Sequence, residues 1–252
     1  MQLIVPYRHQ WKDNEKFPLV IFIPGSAWYR QEMYNSIPCY SKLSERGIVT
    51  AIVQYRESTI SPFPAQVHDI NCAIKFLLGK AEEFHIDVKN IFIGGNSSGG
   101  HIALMTSFMK AHGIIHGEYE IKGIISESAP SDMLLCDAED NDIPDWFPKD
   151  FRPTIDLLGV RELSENKELA KSASCEMYIS KDIKLPSVLL MHGNKDCQVN
   201  IQHSRLLYQQ LKNAEKDVIF YELEGCDHGG AAFWTKEVID IINSFVNLNS
   251  NT

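Results

Sequence analysis

The sequence predicts an α/β chain built on a mostly parallel, doubly wound sheet, with helices on both faces and a long insertion at about 131–180. Three observations carry that expectation. Six short apolar runs rich in β-branched residues recur along the 252 residues. Longer stretches with apolar residues three and four apart separate them. The runs also lack strict alternation, as strands covered on both faces do. At 44% hydrophobic and 23% charged residues the composition is that of a globular protein. One domain over 1–252 is compatible with this length.

The elements follow in order. The first long strand is LVIFI (19–23), preceded by a short apolar segment in MQLIVPY, and the second is IVTAIVQY (48–55). Residues 65–84 place Ile70, Ala73, Ile74, Leu77, Ala81 and Phe84 on one helical stripe. NIFIGG (90–95) is the next strand, and a helix is expected after Ser98 through IALMTSFM. KGIISES (122–128) and SVLLMHG (187–193) flank the insertion, and DVIFYEL (217–223) follows a helix at about 201–213. The last helix carries Trp234, Val238, Ile241, Ile242 and Phe245. Within the insertion, DMLLCDAEDNDIPDWFPKDF holds seven acids, one Lys, and the aromatic residues Trp146, Phe147 and Phe151. Fifty residues between two strands is long for a connection. Two readings stand: a solvated loop pinned by its aromatic side chains, or a partial lid whose Trp146 offers a face to substrate.

Charge and cysteine usage narrow the function. Twenty-four Lys and Arg against thirty-three Asp and Glu give a net charge of −9. That balance opposes a nucleic-acid partner or an anionic membrane surface and suits a small neutral substrate. The six cysteines at 39, 72, 136, 175, 197 and 226 form no C-x-x-C pair, so reduced and mostly buried thiols in a cytoplasmic protein are expected. The first residues lack a basic segment followed by an apolar one, so no signal peptide is expected. No apolar run approaches the roughly 20 residues of a membrane span.

The chemistry gathers at strand ends. NIFIGG runs into Gly95-Asn96-Ser97-Ser98-Gly99 and then an apolar helix, which satisfies G-x-S-x-G in its strand–turn–helix context. Such a turn strains its central Ser97 and projects the hydroxyl from the sheet edge, with small residues required two positions either side. After SVLLMHG comes Asp196, and after DVIFYEL comes His228. Nucleophile, acid and histidine in that order, each after a strand, make a Ser97–His228–Asp196 triad the expected catalytic set. Asp227 is adjacent to His228 and is the weaker candidate acid. Glu127, at the end of KGIISES, and Asp132 after it could line a pocket, and His192 is expected to be buried and hydrogen-bonded. Backbone donors for an oxyanion are expected from Ser98, after the nucleophile, and from the turn Pro24-Gly25-Ser26-Ala27-Trp28 after the first long strand. Trp28, next to that turn, is placed as one wall of a substrate pocket. With no H-E-x-x-H and no carboxylate cluster of metal spacing, neither a metal nor a cofactor is expected.

These motifs together resemble the α/β-hydrolase esterases, close to the branch of hormone-sensitive lipases and BD-FAE carbohydrate esterases, over nearly the whole chain. The family's H-G-G-G-W is matched by Pro24-Gly25-Ser26-Ala27-Trp28, and its N-Y-R-L by Gln54-Tyr55-Arg56-Glu57, with Phe63-Pro64-Ala65 and Asp69 downstream. Its G-D-S-A-G-G-H is matched by Gly95 to His101, its H-G-x-x-D-x-x-V by His192 to Val199, and its final H by His228. Two departures stand out. Pro24 replaces a His and has no N–H to donate, while Ser26 and Ala27 replace glycines and add Cβ atoms. Gly25, Ser26 and Ala27 all keep an N–H, and any of them can serve. The family also places a β-hairpin before the segment resembling MQLIVPY, of which only the last strand is expected here. The resemblance implies the α/β-hydrolase fold and a serine carboxylesterase acting on short acyl groups, such as acetyl esters of plant-type sugars or xylo-oligosaccharides. Alternatives are an amide or peptide hydrolase of aryl formamidase or prolyl-peptidase type, and a non-catalytic binding protein on the same fold.

Overall fold

A computed structural model describes residues 1–7, 15–140 and 150–250. Seven strands form one sheet: β1 (Gln2–Ile4), β2 (Phe17–Ile23), β3 (Val49–Ile52), β4 (Ile86–Asn96), β5 (Ile121–Glu127), β6 (Ser187–Gly193) and β7 (Val218–Leu223). Their order is β1-β3-β2-β4-β5-β6-β7. β1 runs antiparallel to β3, and every other neighbouring pair is parallel. β2, β3, β5 and β6 are buried almost throughout, and β4 from Ile91 to Gly95, which is why these stretches read as continuous apolar runs. β7, at the edge, exposes Ile219 and Tyr221 and alternates instead.

Helices cover both faces. α2 (Ala65–Gly79), α3 (Ser98–Ala111) and α7 (Gln202–Asn213) bury Ile70, Ile74, Leu104, Phe108, Leu207 and Leu211 in one core. α1 (Ile37–Ser44) and α8 (Lys236–Ser250) pack Leu43, Ile242 and Phe245 against Phe92, Ile125 and Leu189 on the opposite face. α3 is buried over its first twelve residues, so it is apolar all round rather than striped.

Several boundaries differ from expectation. α2 stops at Gly79, and Ala81 and Phe84 lie in the turn that follows. β3 covers four residues of the eight-residue run 48–55; beyond it Val53 and Tyr55 stay buried while Gln54 is exposed. α1, with Pro38 in its first turn, had too short an apolar stripe to stand out. The insertion contains α4 (Met133–Asp140), α5 (Pro153–Leu158), α6 (Lys167–Ser172) and a 3₁₀ turn at Cys175–Tyr178. Its Leu157, Leu163, Ala170 and Cys175 join the main core, so the described part is packed rather than solvated. Most of the acidic stretch, Trp146 included, lies outside the described residues. Two of the six cysteines, Cys136 and Cys175, are buried, fewer than expected, and all six are free thiols.

The topology sets the place for chemistry. β2 is followed by β3 on one side, and β4 opens on the other, so the strand order reverses between β2 and β4. The register pairs Ile23 with Gly95 and Asn96 with Glu127, levelling these strand ends at one edge. A crevice beyond the carboxyl ends at such a reversal is where α/β sheets bind ligands.

Candidate active site

The turn from β4 into α3 holds Ser97 at φ 52° and ψ −131°, left-handed backbone that a non-glycine residue adopts only under constraint. Two observations account for the constraint. The Ser97 N–H donates to the Glu127 carbonyl at 2.8 Å, and the Ser97 carbonyl accepts from the His101 N–H at 3.1 Å. A Cβ on Gly99 would run into the Ile23 carbonyl, so the helix can approach β2 this closely only with glycine there. Ser97 is thereby presented at the sheet edge, at the N-terminus of α3, where developing negative charge is favoured.

Asp196 and His228 meet. His228 Nδ1 lies 2.8 Å from Asp196 Oδ2, from loops that follow β6 and β7. The Asp196 side chain is fully buried. His192 Nε2 lies 3.1 Å from the same Oδ2, and the N–H groups of Gln198 and Val199 donate to Oδ1 at 2.9 Å each. Burial alone would raise this carboxyl, but the donors from His192, His228 and the backbone overcome it and hold the group well below the usual carboxylate range. An ionised Asp196 takes the Nδ1–H tautomer of His228, which leaves a lone pair on Nε2. His192 is fully buried, with Nε2 donating to the Val199 carbonyl at 2.9 Å and Nδ1 2.7 Å from Ser204 Oγ.

The turn after β2 is strapped to the elbow. The Gly25 N–H donates to Asn96 Oδ1 at 3.0 Å, and the Ser26 N–H donates to Ser98 Oγ at 2.8 Å. A Cβ on Gly25 would stand 2.5 Å from the Asn96 carbonyl oxygen and 2.7 Å from Ser97 Cβ, so the turn lies directly against Ser97. Of the three expected amide donors, Gly25 and Ser26 are therefore already engaged. Ala27, at φ 52°, has an N–H with no hydrogen-bond partner among the described residues.

The other singled-out residues fall elsewhere. Trp28 is not a pocket wall: it is 3% exposed, its indole N–H donates to His101 Nδ1 at 3.1 Å, and the two rings meet edge to face. His101 in turn lies 2.8 Å from the Ala173 carbonyl, and burial pushes its pKa down to about 4, so it is a neutral link between turn, helix and insertion. Asp227 is turned away from the imidazole and binds the N–H groups of Cys197 and His228 instead. Asp132 caps the start of α4 by accepting from the Leu134 N–H at 2.8 Å. Glu127 is 1% exposed, beneath the elbow rather than in a cleft. Sequence reasoning missed the hydroxyl contacts of Tyr55 and Ser98 and the Asn96 brace, since spacing carries no signal for which side chains turn inward. Among the described residues, no group of three or more His, Cys, Asp or Glu could hold a metal ion. No described helix is long and apolar enough to cross a membrane.

Comparison with known proteins agrees with this architecture. Over 90% of its length the chain is 23% identical to the esterase LipC of Mycobacterium tuberculosis, spanning 57% of that protein. It is 24% identical to the probable isoprenylcysteine alpha-carbonyl methylesterase ICMEL1 of Arabidopsis thaliana, over 81% of this chain and 44% of that one. The chain spans about half the length of the curated relatives it matches. A truncated carbohydrate esterase from gut microbiota superposes with a TM-score of 0.83 at 23% identity, covering 99% of this chain and 90% of its own. The propionate-bound esterase 2 of Thermogutta terrifontis superposes with a TM-score of 0.74 at 20% identity, covering 98% and 88%. With the seven-stranded sheet, these likenesses show the α/β-hydrolase fold. The BD-FAE family profile matches residues 7–211, so the chain belongs to the BD-FAE family.

Proposed function

We propose that this chain is a serine carboxylesterase, with Ser97 as nucleophile, His228 as general base and acid, and Asp196 as the residue that fixes the imidazole. The observation that carries the reading is the 2.8 Å contact of His228 Nδ1 with a buried, four-fold hydrogen-bonded Asp196, at the same sheet edge as the strained Ser97. His228 Nε2 takes the Ser97 proton as Oγ attacks the ester carbonyl. The resulting oxyanion is held by the N–H groups of Ser98 and Ala27, neither of which has an acceptor among the described residues. Collapse expels the alcohol, to which imidazolium returns the proton. Water then repeats the sequence on the acyl-enzyme. No step calls for a metal or a cofactor.

The substrate is an ester of a short acyl group, of acetyl type, on a plant-type sugar. The solved relatives described as a carbohydrate esterase and as a propionate-bound esterase support this choice. So does the turn itself, where Ala27 adds a methyl beside the scissile carbonyl. Beyond the turn, Tyr29 and Phe151 pair at 5.6 Å between ring centroids, and the Tyr29 hydroxyl donates to Asp156 Oδ2 at 2.5 Å. Aromatic faces beside a carboxylate suit a neutral, hydroxyl-rich ring. The test is a fluorophosphonate probe followed by p-nitrophenyl esters from acetyl to octanoyl and an acetylated xylo-oligosaccharide. The expected result is labelling at Ser97 and at least tenfold higher kcat/KM for acetyl than octanoyl, since a chain the pocket cannot bury gains nothing and a clash costs about 1–3 kcal/mol. Absence of labelling refutes the nucleophile, and a preference for octanoyl refutes the narrow pocket.

A further inference from the structure

Two of the positions where the chain departs from the family pattern at the site, Ser26 for glycine and Ser98 for alanine, touch each other. The Ser26 N–H donates to Ser98 Oγ at 2.8 Å, and Ser98 Oγ lies 3.0 Å from the hydroxyl of Tyr55. The Tyr55 hydroxyl lies 3.3 Å from Ser26 Oγ, which donates to the Tyr29 carbonyl at 2.6 Å. One assignment of protons leaves none idle. The Ser26 amide donates to Ser98, Ser98 to Tyr55, Tyr55 to the Ser26 hydroxyl, and that hydroxyl to Tyr29. Ser98 is 1% and Tyr55 5% exposed, so water does not replace a lost member freely. The ring's other end is also held, because the Tyr55 N–H donates to Gln31 Oε1 at 2.9 Å.

We infer that the hydroxyls of Ser26 and Ser98, joined through Tyr55, are a coupled pair of positioning residues that aim the Ala27 amide at the oxyanion. The inference rests on the serine-hydrolase reading and deepens it. Ala27 follows Ser26 directly, at φ 52°, and its own N–H has no partner among the described residues. Its direction is therefore inherited from the residue before it. Ser26 is fixed at two atoms, its amide on Ser98 and its hydroxyl on Tyr55 and Tyr29. Closed hydrogen-bond rings behave as units: loss of one member frees the rest, and a second loss removes little more.

The experiment is a cycle of Ser26→Ala, Ser98→Ala and the double variant, with kcat and KM measured on p-nitrophenyl acetate. Affinity for phenylboronic acid, which forms a tetrahedral anion on a reactive serine, is measured alongside. Complete loss of an oxyanion donor costs roughly 10²–10³ in kcat, and a misaimed one costs a fraction of that. Each single variant is expected to lose about tenfold in kcat, with KM within twofold and boronate affinity falling in parallel. The double variant is expected to be no slower than the worse single one. A double variant about a hundredfold slower would show two independent side chains and overturn the coupling. A faster Ser98→Ala enzyme would show that the hydroxyl masks a donor, and unchanged single variants would show that it does nothing; either overturns the inference. Should Ser98→Ala fail to fold by thermal unfolding, Tyr55→Phe removes the joining hydroxyl and is expected to give the same tenfold loss, with an unchanged kcat again overturning it. Fluorophosphonate labelling of the parent chain and its loss in Ser97→Ala report separately on the serine-hydrolase reading.

Discussion

Replacing Glu127 by Gln should flatten the pH dependence of stability. The carboxyl sits at the carboxyl end of β5, 1% exposed, with Oε1 making no hydrogen bond. Burial raises its pKa from 4.5 to about 8. Cys39 and Tyr40 on α1 face it closely enough for its charge to raise both of them, and neither compensates it. The folded state thus holds a proton that the unfolded chain releases. Stability from this group is fully present below pH 4.5, declines as pH rises to about 8, and is level above that. Integrating the proton difference from pH 5 to pH 8 gives a loss of about 3.5 kcal/mol, at 1.36 kcal/mol per pKa unit. Gln keeps the shape and has no proton to lose. The assay is urea unfolding of both proteins at pH 5 and pH 8, comparing the stability lost between them. The parent should lose about 3 to 4 kcal/mol more than Glu127→Gln over that interval. Parallel losses in the two proteins would refute the buried neutral acid.

Four other outcomes follow from the site. Ser97→Ala should lower kcat on p-nitrophenyl acetate by about 10⁴–10⁶, and retention of a tenth of the activity would remove Ser97 from the role. Asp196→Asn should cost about 10⁴ in kcat through the wrong imidazole tautomer, whereas Asp227→Asn should cost little; a reversed ranking in steady-state kinetics would make Asp227 the acid. Because Asp196 is held below its usual range, its contribution to stability is present above about pH 4 and is lost on acidification, so acid unfolding should be less steep in Asp196→Asn. Trp28→Phe should destabilise by about 1–3 kcal/mol, by stranding His101 Nδ1, while leaving the ratio of acetyl to octanoyl rates unchanged; a shifted ratio would return Trp28 to the pocket.

Much of this was legible in the sequence because it depends on period and order. Apolar runs without alternation mark strands buried on both faces, and β6 was delimited to the residue at 187–193. The serine, acid and histidine each follow a strand, so a parallel sheet carries them to one edge whatever the loops do. What stayed hidden depends on side-chain direction. Trp28 stands next to a turn at the sheet edge, yet the positive φ of Ala27 and Trp28 itself swings the indole inward onto His101. Sequence adjacency cannot reveal a sign change in φ. The amide donors were equally opaque: Gly25, Ser26 and Ala27 look alike as N–H groups, and only the acceptors Asn96 and Ser98, about seventy residues away, distinguish them. α1 and the insertion helices were missed for a different reason. They are six to eight residues long, too short for a periodic stripe to emerge, and are stabilised by the core they pack on.

The two carboxyls beneath this sheet edge have opposite environments, and the contrast matters for the chemistry. Both are shut away from solvent, so burial acts on each in the same direction, against charge. Asp196 offsets it with four donors, two from histidines and two from the backbone, and is ionised. Glu127 has only its burial, and below about pH 8 it keeps its proton. Of these two carboxyls only Asp196 carries charge, and it is in contact with the His228 imidazole. This is the arrangement that the proposed proton transfer from Ser97 would use. A negative partner at Nδ1 stabilises the imidazolium as it forms, in the step where charge develops. Pairs of acids driven apart by their surroundings are a recurrent way to give one of them a catalytic task. Here the second acid is left to a structural one: its backbone carbonyl receives the Ser97 N–H and helps to hold the strained turn. The backbone of Glu127 thus holds Ser97 in place, while its neutral carboxyl adds no charge beneath the turn.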